Sequence, residues 1–219
     1  MTPKSDRLSP ELQQYMITHS SAPPDQLLLD LIDETAQLGG SASMQISPEQ
    51  GQFLTLLTSI LGVRNAVEVG TFTGYSSLSI ARGLAPGGHL LCCDVSDEWT
   101  KIARRYWARA GVEDRIELRL APALESLRAL PADPVIDLTF LDADKDGYIG
   151  YWEELVPRTR PGGVLLVDNV FSGGRVTDES DHAGSADAIR AFNAHVVADE
   201  RVEAVMLAIA DGLTIARRK

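Results

Sequence analysis

Four apolar, strand-like stretches of this chain each meet an acidic residue: AVEVG at Glu68, HLLCCD at Asp94, DLTFLDAD at Asp142 and Asp144, and VLLVDN at Asp168. If these strands lie parallel in one sheet, their carboxylates collect on one edge, where open α/β sheets place their ligands. Asp142 together with Asp168-Asn169 offers two carboxylates and one amide oxygen, a hard and incomplete oxygen shell suited to Mg²⁺ with water or substrate completing it. A plain turn after the strand would explain Asp168-Asn169 equally well. Lys145 stands within reach of such an ion. Beside a divalent cation an ammonium is disfavoured, so the neutral amine that base chemistry needs becomes accessible.

The stretch from Asp142 to Gly147, followed by Glu153, also satisfies the spacing of an EF-hand calcium loop. Such a loop needs a helix on both sides, whereas LPADPVIDLTFL upstream carries Pro131 and Pro134 and then a β-rich run. In VEVGTFTGYSS, Gly70 permits a sharp turn and close approach of a ligand, and Gly74 suits the tight start of the next helix. Asp94 ends the following strand, where a carboxylate can accept both hydrogen bonds of a ribose diol. The three-glycine spacing of the dinucleotide fingerprint is missing, which weighs against a nicotinamide-dependent oxidoreductase without excluding it.

The elements that must position these groups are legible from about residue 66 onward. Val-, Ile- and Leu-rich runs alternate with helical segments near 74–84, 97–110, 122–130 and 147–158, the pattern of βαβ units around a buried parallel sheet. Pro86-Gly87-Gly88 and Pro161-Gly162-Gly163 each end a helix and launch a strand. VEAVMLAI and LTIARR, separated by Ala-Asp-Gly, predict an antiparallel hairpin closing the sheet. Before residue 66 the reading is helical, with Leu28, Leu31 and Ile32 on one stripe and Phe53, Leu54, Leu57, Ile60 and Leu61 on another. Ser47-Pro48-Glu49-Gln50 has the form of a capping box. Residues 172–185, SGGRVTDESDHAGS, form the one stretch expected to be flexible.

The expected architecture is a doubly wound, Rossmann-like α/β sheet, mostly parallel with an antiparallel C-terminal hairpin and with N-terminal helices capping the site. At 219 residues one domain is expected, residues 1–62 as a helical cap and 63–219 as the α/β core. Apolar content of 44% and charged content of 23% are ordinary for a soluble protein, and no run is long enough to cross a bilayer. The opening segment has no apolar core that would direct export. Cys92 and Cys93, adjacent in a strand, point to opposite faces and cannot cross-link usefully, which fits a reduced, cytoplasmic setting. A net charge of −11 argues against a nucleic-acid surface.

Taken together, MQISPEQGQFL, VEVGTFTGYSS, AGVEDRIELRLAPALESL, FLDADKDGY, LLVDN and ADGLTIARR occur in the order seen in the cation-dependent O-methyltransferases that use S-adenosylmethionine. The chain resembles this group, which contains the caffeoyl-coenzyme A and catechol enzymes, over nearly its whole length. The resemblance implies that Glu68, Gly70, Thr71 and Ser76 surround the methionine and ribose of the cofactor, with Asp94 on the ribose hydroxyls. It also implies Ala123 by the adenine, Asp144 near the amino-acid part and Met44 near the sulfonium. Asp142, Asp168 and Asn169 match the ligands of Mg²⁺ or another divalent cation such as Mn²⁺ or Ca²⁺, and Lys145 matches the base. A catechol-like small-molecule acceptor and a homodimer are implied in the same way. Two departures stand out: Val170-Phe171-Ser172-Gly173-Gly174 replaces a stretch that carries a Trp in related plant enzymes, and Ala121 replaces a Gly.

Overall fold

Seven strands form one sheet in the order β3-β2-β1-β4-β5-β7-β6. The structure is a computed structural model that describes residues 9–21 and 23–219; the reading of the opening segment falls partly on residues 1–8, outside the described residues. Strands β1 (Asn65–Val69), β2 (His89–Asp94), β3 (Ile116–Leu120), β4 (Ile136–Leu141) and β5 (Thr159–Asp168) are parallel. β7 (Leu213–Arg218) runs antiparallel to both β5 and β6 (Val202–Leu207). The strand order reverses between β1 and β4, so a crevice opens above their C-terminal ends.

Side-chain alternation along the strands gives the sheet two apolar faces. Ala66, Leu90, Cys92, Leu138, Phe140 and Leu166 pack with α2 (Gln26–Ala36), α3 (Pro48–Ile60), α4 (Tyr75–Gly83) and α5 (Asp97–Ala110). Val67, Leu91, Cys93, Leu165 and Val167 face α6 (Ala123–Arg128), α7 (Tyr148–Arg158) and α8 (Ala186–Ala198). Cys92 and Cys93 therefore lie on opposite faces, both buried and free. A short helix α1 (Pro10–Thr18) precedes α2.

Several local expectations need correction. Ser47 makes no side-chain cap on α3, and Gln50 is completely buried instead of reaching back to the helix start. The buried stripe of α3 is Gln50, Gly51, Leu54 and Thr58, because Gly51 must sit against the Tyr75 ring; Ile60 is turned outward at 71% exposure. β5 begins at Thr159, upstream of Pro161-Gly162-Gly163, which is absorbed as a register shift against β4. The hairpin loop spans residues 208–212, since β6 already ends at Leu207. Residues 172–185 hold a 3-10 turn, Ser172–Thr177, and are clamped by Arg190, whose guanidinium donates to the carbonyls of Arg175, Asp178 and Asp181 at 3.0, 2.9 and 2.6 Å.

Helix α2 is fastened to the sheet side of the crevice by polar contacts. Thr35 donates to Thr73 of the glycine loop at 2.9 Å in a buried position, and Asp25, Asp30 and Glu34 pair with Arg82, Arg109 and Arg105. Exposed pairs of this kind contribute little singly, about 0–1 kcal/mol. Their role here is to fix the direction of α2, so that the segment after it returns over the crevice.

Candidate active site

A cavity of about 820 Å³ occupies the crevice. Its walls come from the ends of β1, β2, β4 and β5, the segment 43–47 before α3, and the loop between β6 and β7. Of the residues singled out in the sequence, Met44, Gly70, Thr71, Ser76, Asp94, Ala123, Asp142, Asp144, Lys145, Asp168 and Asn169 all line it.

At the β2 end, backbone geometry shapes one half of the cavity. Gly70 has φ +90, and a Cβ there would stand 2.0 Å from the Asp142 carbonyl oxygen; Gly70 is what lets β1 and β4 leave the sheet side by side. Gly74, at φ +89, caps α4 and would strike the Ala103 side chain at 2.6 Å if it bore a Cβ. Asp94 accepts from the backbone N–H groups of Thr71 and Phe72, both at 2.9 Å, and of Ser96 at 2.8 Å. Its carboxylate thus props the glycine loop and presents remaining lone pairs to the cavity. Ser96, not Asp94, caps α5, accepting from Trp99 N–H at 3.2 Å. Ala121 lies on the same wall, its N–H donating to the Asp94 carbonyl at 3.1 Å.

At the β4–β5 end the charged groups converge. Lys145 Nζ donates to Asp142 Oδ1 at 2.8 Å and to the Tyr148 hydroxyl at 2.7 Å, and Tyr148 in turn donates to the Asp168 carbonyl at 3.1 Å. Asp144 accepts from Tyr151 at 2.6 Å and from Gly147 N–H at 3.1 Å, which holds its carboxylate on the wall. Asn169 carries φ +59, a left-handed conformation that Asn tolerates better than most residues and that re-aims the chain after β5. Val170 and Phe171 then hydrogen-bond to the backbone of Gly212 and Asp211, and the Phe171 ring lies where a Cβ on Gly212 would be, 2.5 Å away.

Burial pushes the Asp168 carboxyl up to about 7, with the charge of Asp142 as the next cause. The Gln50 amide and the Asn169 N–H pull the other way, as does Lys145. Two carboxylates forced to share a desolvated corner repel one another, and a cation between them removes that repulsion. The donor set Asp142, Asp168 and Asn169 is all oxygen, which fits a hard divalent ion. By contrast, side-chain ligand atoms of Glu153 on α7 and of His195 and Asp199 at the C-terminal end of α8 lie within 4.8 Å of one another, but Arg201 fills that cluster, pairing with Glu153 and Asp199 at 2.7 Å. Hydrogen bonds from Arg201 hold the Asp199 carboxyl well below the usual range.

A model of the family described as O-methyltransferase matches residues 18–219. The chain belongs to the O-methyltransferase family. It is 38% identical over 205 residues to the protein named Probable caffeoyl-CoA O-methyltransferase 1 of Dictyostelium discoideum, covering 92% of this chain and 89% of that protein. Identity to Caffeoyl-CoA O-methyltransferase 2 of Zea mays is 34%, covering 98% of this chain and 85% of the relative. Among solved structures, the O-methyltransferase from Bacillus cereus, crystallised in complex with SAH, has a TM-score of 0.87 at 34% identity, covering 95% of this chain and 97% of that one. The O-methyltransferase TomG from Streptomyces achromogenes, in complex with SAM, gives 0.86 at 28% identity over 95% and 96% of the two chains. The expectation of an S-adenosylmethionine-dependent O-methyltransferase with a Rossmann-like fold is thereby borne out.

One expectation for the site changes, and the two alternative readings fall. Glu68 is not on the cavity edge: one residue inside β1, it points to the α4 side of the sheet, fully buried, where Cys92 Sγ donates to it at 3.3 Å. Burial pushes its carboxyl up to about 7, and Ser76, Cys92 and Thr71 restrain the rise. The EF-hand alternative fails because β4, not a helix, leads into Asp142, and because Glu153 faces away to His195 and Arg201. The nicotinamide alternative gives way to the family match. Sequence reasoning also missed Tyr148 and Tyr151, whose three-residue spacing on α7 brings their hydroxyls to Lys145 and Asp144, and Trp99, which meets Phe72 edge-on at 5.1 Å on the β2 side of the cavity.

Proposed function

We propose that the enzyme transfers the methyl group of S-adenosylmethionine to a hydroxyl of a catechol-like or caffeoyl-type small molecule, with Mg²⁺ or another divalent cation held by Asp142, Asp168 and Asn169. The observation that carries the reading is the buried Asp168 carboxyl forced against Asp142 beside Lys145, on the same cavity wall as the glycine loop. When bound, the cation supplies Lewis-acid stabilisation of an ionised phenol, and the sulfonium supplies an electrophilic methyl group.

The rest of the chemistry falls to this chain's own side chains. Lys145 takes the proton of the reacting hydroxyl at its Nζ, held there by Asp142 and the Tyr148 hydroxyl. Asp94 receives the ribose diol, and Gly70, Thr71, Ser76, Ala123, Asp144 and Met44 line the channel that orients the cofactor. Glu68 lies buried beneath that wall, where its carboxyl accepts from Cys92 Sγ. The segment 43–47 and the loop 208–212 close over the reactants and exclude water, which with correct orientation supplies much of the acceleration.

Lys145→Ala tests the base: turnover of labelled S-adenosylmethionine with a small catechol should fall by at least about a hundredfold while cofactor affinity stays within about twofold. Unchanged turnover would remove Lys145 from the chemistry. The same reading takes the chain as one domain, with residues 1–62 as cap and 63–219 as core. It also takes the enzyme as cytoplasmic, in keeping with two free buried cysteines. A homodimer finds support in β6, an edge strand with Val205, Met206 and Leu207 exposed. No helix among the described residues is long and apolar enough to cross a membrane.

A further inference from the structure

Two partners hold the Lys145 amine, and only one of them belongs to the cavity wall. Asp142 lines the cavity, whereas Tyr148 is fully buried and does not. The Tyr148 hydroxyl has a single proton, and that proton is committed: it goes to the Asp168 carbonyl at 3.1 Å, a group that can only accept. Toward Lys145 the same oxygen can therefore only accept, so Nζ must turn an N–H to it, at 2.7 Å. Asp142 Oδ1 takes a second N–H at 2.8 Å. Among the described residues Nζ has no other hydrogen-bond partner.

A neutral amine carries two N–H groups and one lone pair. With both N–H groups engaged, the lone pair takes the corner turned away from Asp142 and Tyr148, on the side where Lys145 lines the cavity. Had the tyrosine proton been free, it would be donated to the amine and would capture that lone pair. A flexible lysine stem on its own spreads its lone pair over many directions. The ring that carries the hydroxyl is fixed too: Tyr148 meets Phe192 of α8 edge-on at 5.3 Å, Phe192 meets Trp152 at 5.7 Å, and all three are buried. Because Lys145 follows β4 and Asp168 ends β5, one hydroxyl also sets the amine relative to the neighbouring strand end.

We propose that Tyr148 is a positioning residue for methyl transfer: by donating to the Asp168 carbonyl and accepting from Lys145, its hydroxyl aims the Lys145 lone pair into the cavity without itself meeting the reactants. This rests on the reading of Lys145 as the base and deepens it. The O–H bond of the acceptor breaks, its proton forms the third N–H of Lys145, and the electron pair stays on the oxygen that receives the methyl group.

The test compares Tyr148→Phe with Phe192→Leu, which loosens the packing of the ring but keeps its hydroxyl, in the full chain supplied with S-adenosylmethionine, Mg²⁺ and a small catechol. Tyr148→Phe should lower kcat by about ten- to a hundredfold, while KM for the catechol and affinity for S-adenosylhomocysteine change by less than about threefold. Phe192→Leu should melt at least as low and keep kcat within about threefold of the parent protein. A readout without turnover comes from ¹⁵N relaxation of the side-chain amines of Lys4, Lys101, Lys145 and Lys219, the only lysines in the chain. Lys145 Nζ should be rigid in the unliganded parent protein and in Phe192→Leu, and in Tyr148→Phe as mobile as the exposed Lys101. Unchanged kcat in Tyr148→Phe, an equal loss of kcat in Phe192→Leu, or a Lys145 amine that stays rigid without the hydroxyl overturns the proposal. If Tyr148→Phe frees the amine as described but Lys145→Ala keeps full turnover, the aiming of the amine by Tyr148 is upheld and the reading of Lys145 as the base fails.

Discussion

Glu68 shows how strongly one strand position decides a residue's chemistry. Its neighbours on β1 bury their side chains in apolar clusters, and Glu68, on the face packed by α4, is buried with them. Folding favours its protonated form, since its carboxyl rises from the ordinary 4.5 to about 7. Below pH 4.5 the group is neutral in both folded and unfolded chains and makes no difference. As pH rises through 4.5 toward 7 the unfolded chain ionises first, and the folded state loses stability, on the order of 3 kcal/mol once pH exceeds 7. Glu68→Gln should therefore melt higher than the parent protein at pH 8, with the gap narrowing toward pH 4.5; thermal melts across that range check it, and a gap independent of pH would mean that Glu68 does not titrate in this way. The acidic residues at the strand ends were legible in the sequence because each follows an apolar run. That Glu68 lies beneath the site and not in it depends on β1 ending one residue later, at Val69.

At the scale of elements, the sequence was most informative where local chemistry dictates the outcome. Helix α5 spans Asp97–Ala110 as its Ser96 cap and the left-handed Gly111 at its end require. It was least informative where a distant partner decides. Residues 172–185 read as flexible because they are rich in Gly, Ser and Asp, yet Arg190 on α8 ties three of their carbonyls together. Arg190→Ala should release this segment: limited proteolysis should cut within 172–185 several times faster while the melting temperature of the core moves by no more than a few degrees. Equal proteolysis of the two proteins would show that Arg190 is not the clamp. The outward turn of Ile60 has the same kind of cause, since Gly51 packing on Tyr75 sets the rotation of α3 where hydrophobic periodicity alone suggested another face. The Tyr148 and Tyr151 hydroxyls became site groups only once α7 was placed under β4 and β5.

For the whole molecule, the alternation of strands and helices already implied a sheet with a reversal of strand order, and hence one ligand crevice. Which edge strand would be left open was not implied. β6 presents an apolar edge in a chain whose net charge of −11 otherwise favours dispersal. Sedimentation equilibrium should give twice the 23.7 kDa chain mass, and Met206→Lys should shift the distribution toward the monomer; a monomer at all concentrations would assign the edge no such role. In the crevice itself, Asp142, Asp168 and Asn169 line the same wall and are proposed to hold a divalent ion. The most direct test is methyl transfer to a small catechol by chelator-stripped enzyme titrated with Mg²⁺, in parallel with Asp168→Ala. No turnover is expected without the ion, with recovery on its addition to the wild-type protein, no recovery in Asp168→Ala, and normal binding of S-adenosylhomocysteine by both. Full turnover by the stripped wild-type enzyme, or by Asp168→Ala in the presence of chelator, would contradict this reading.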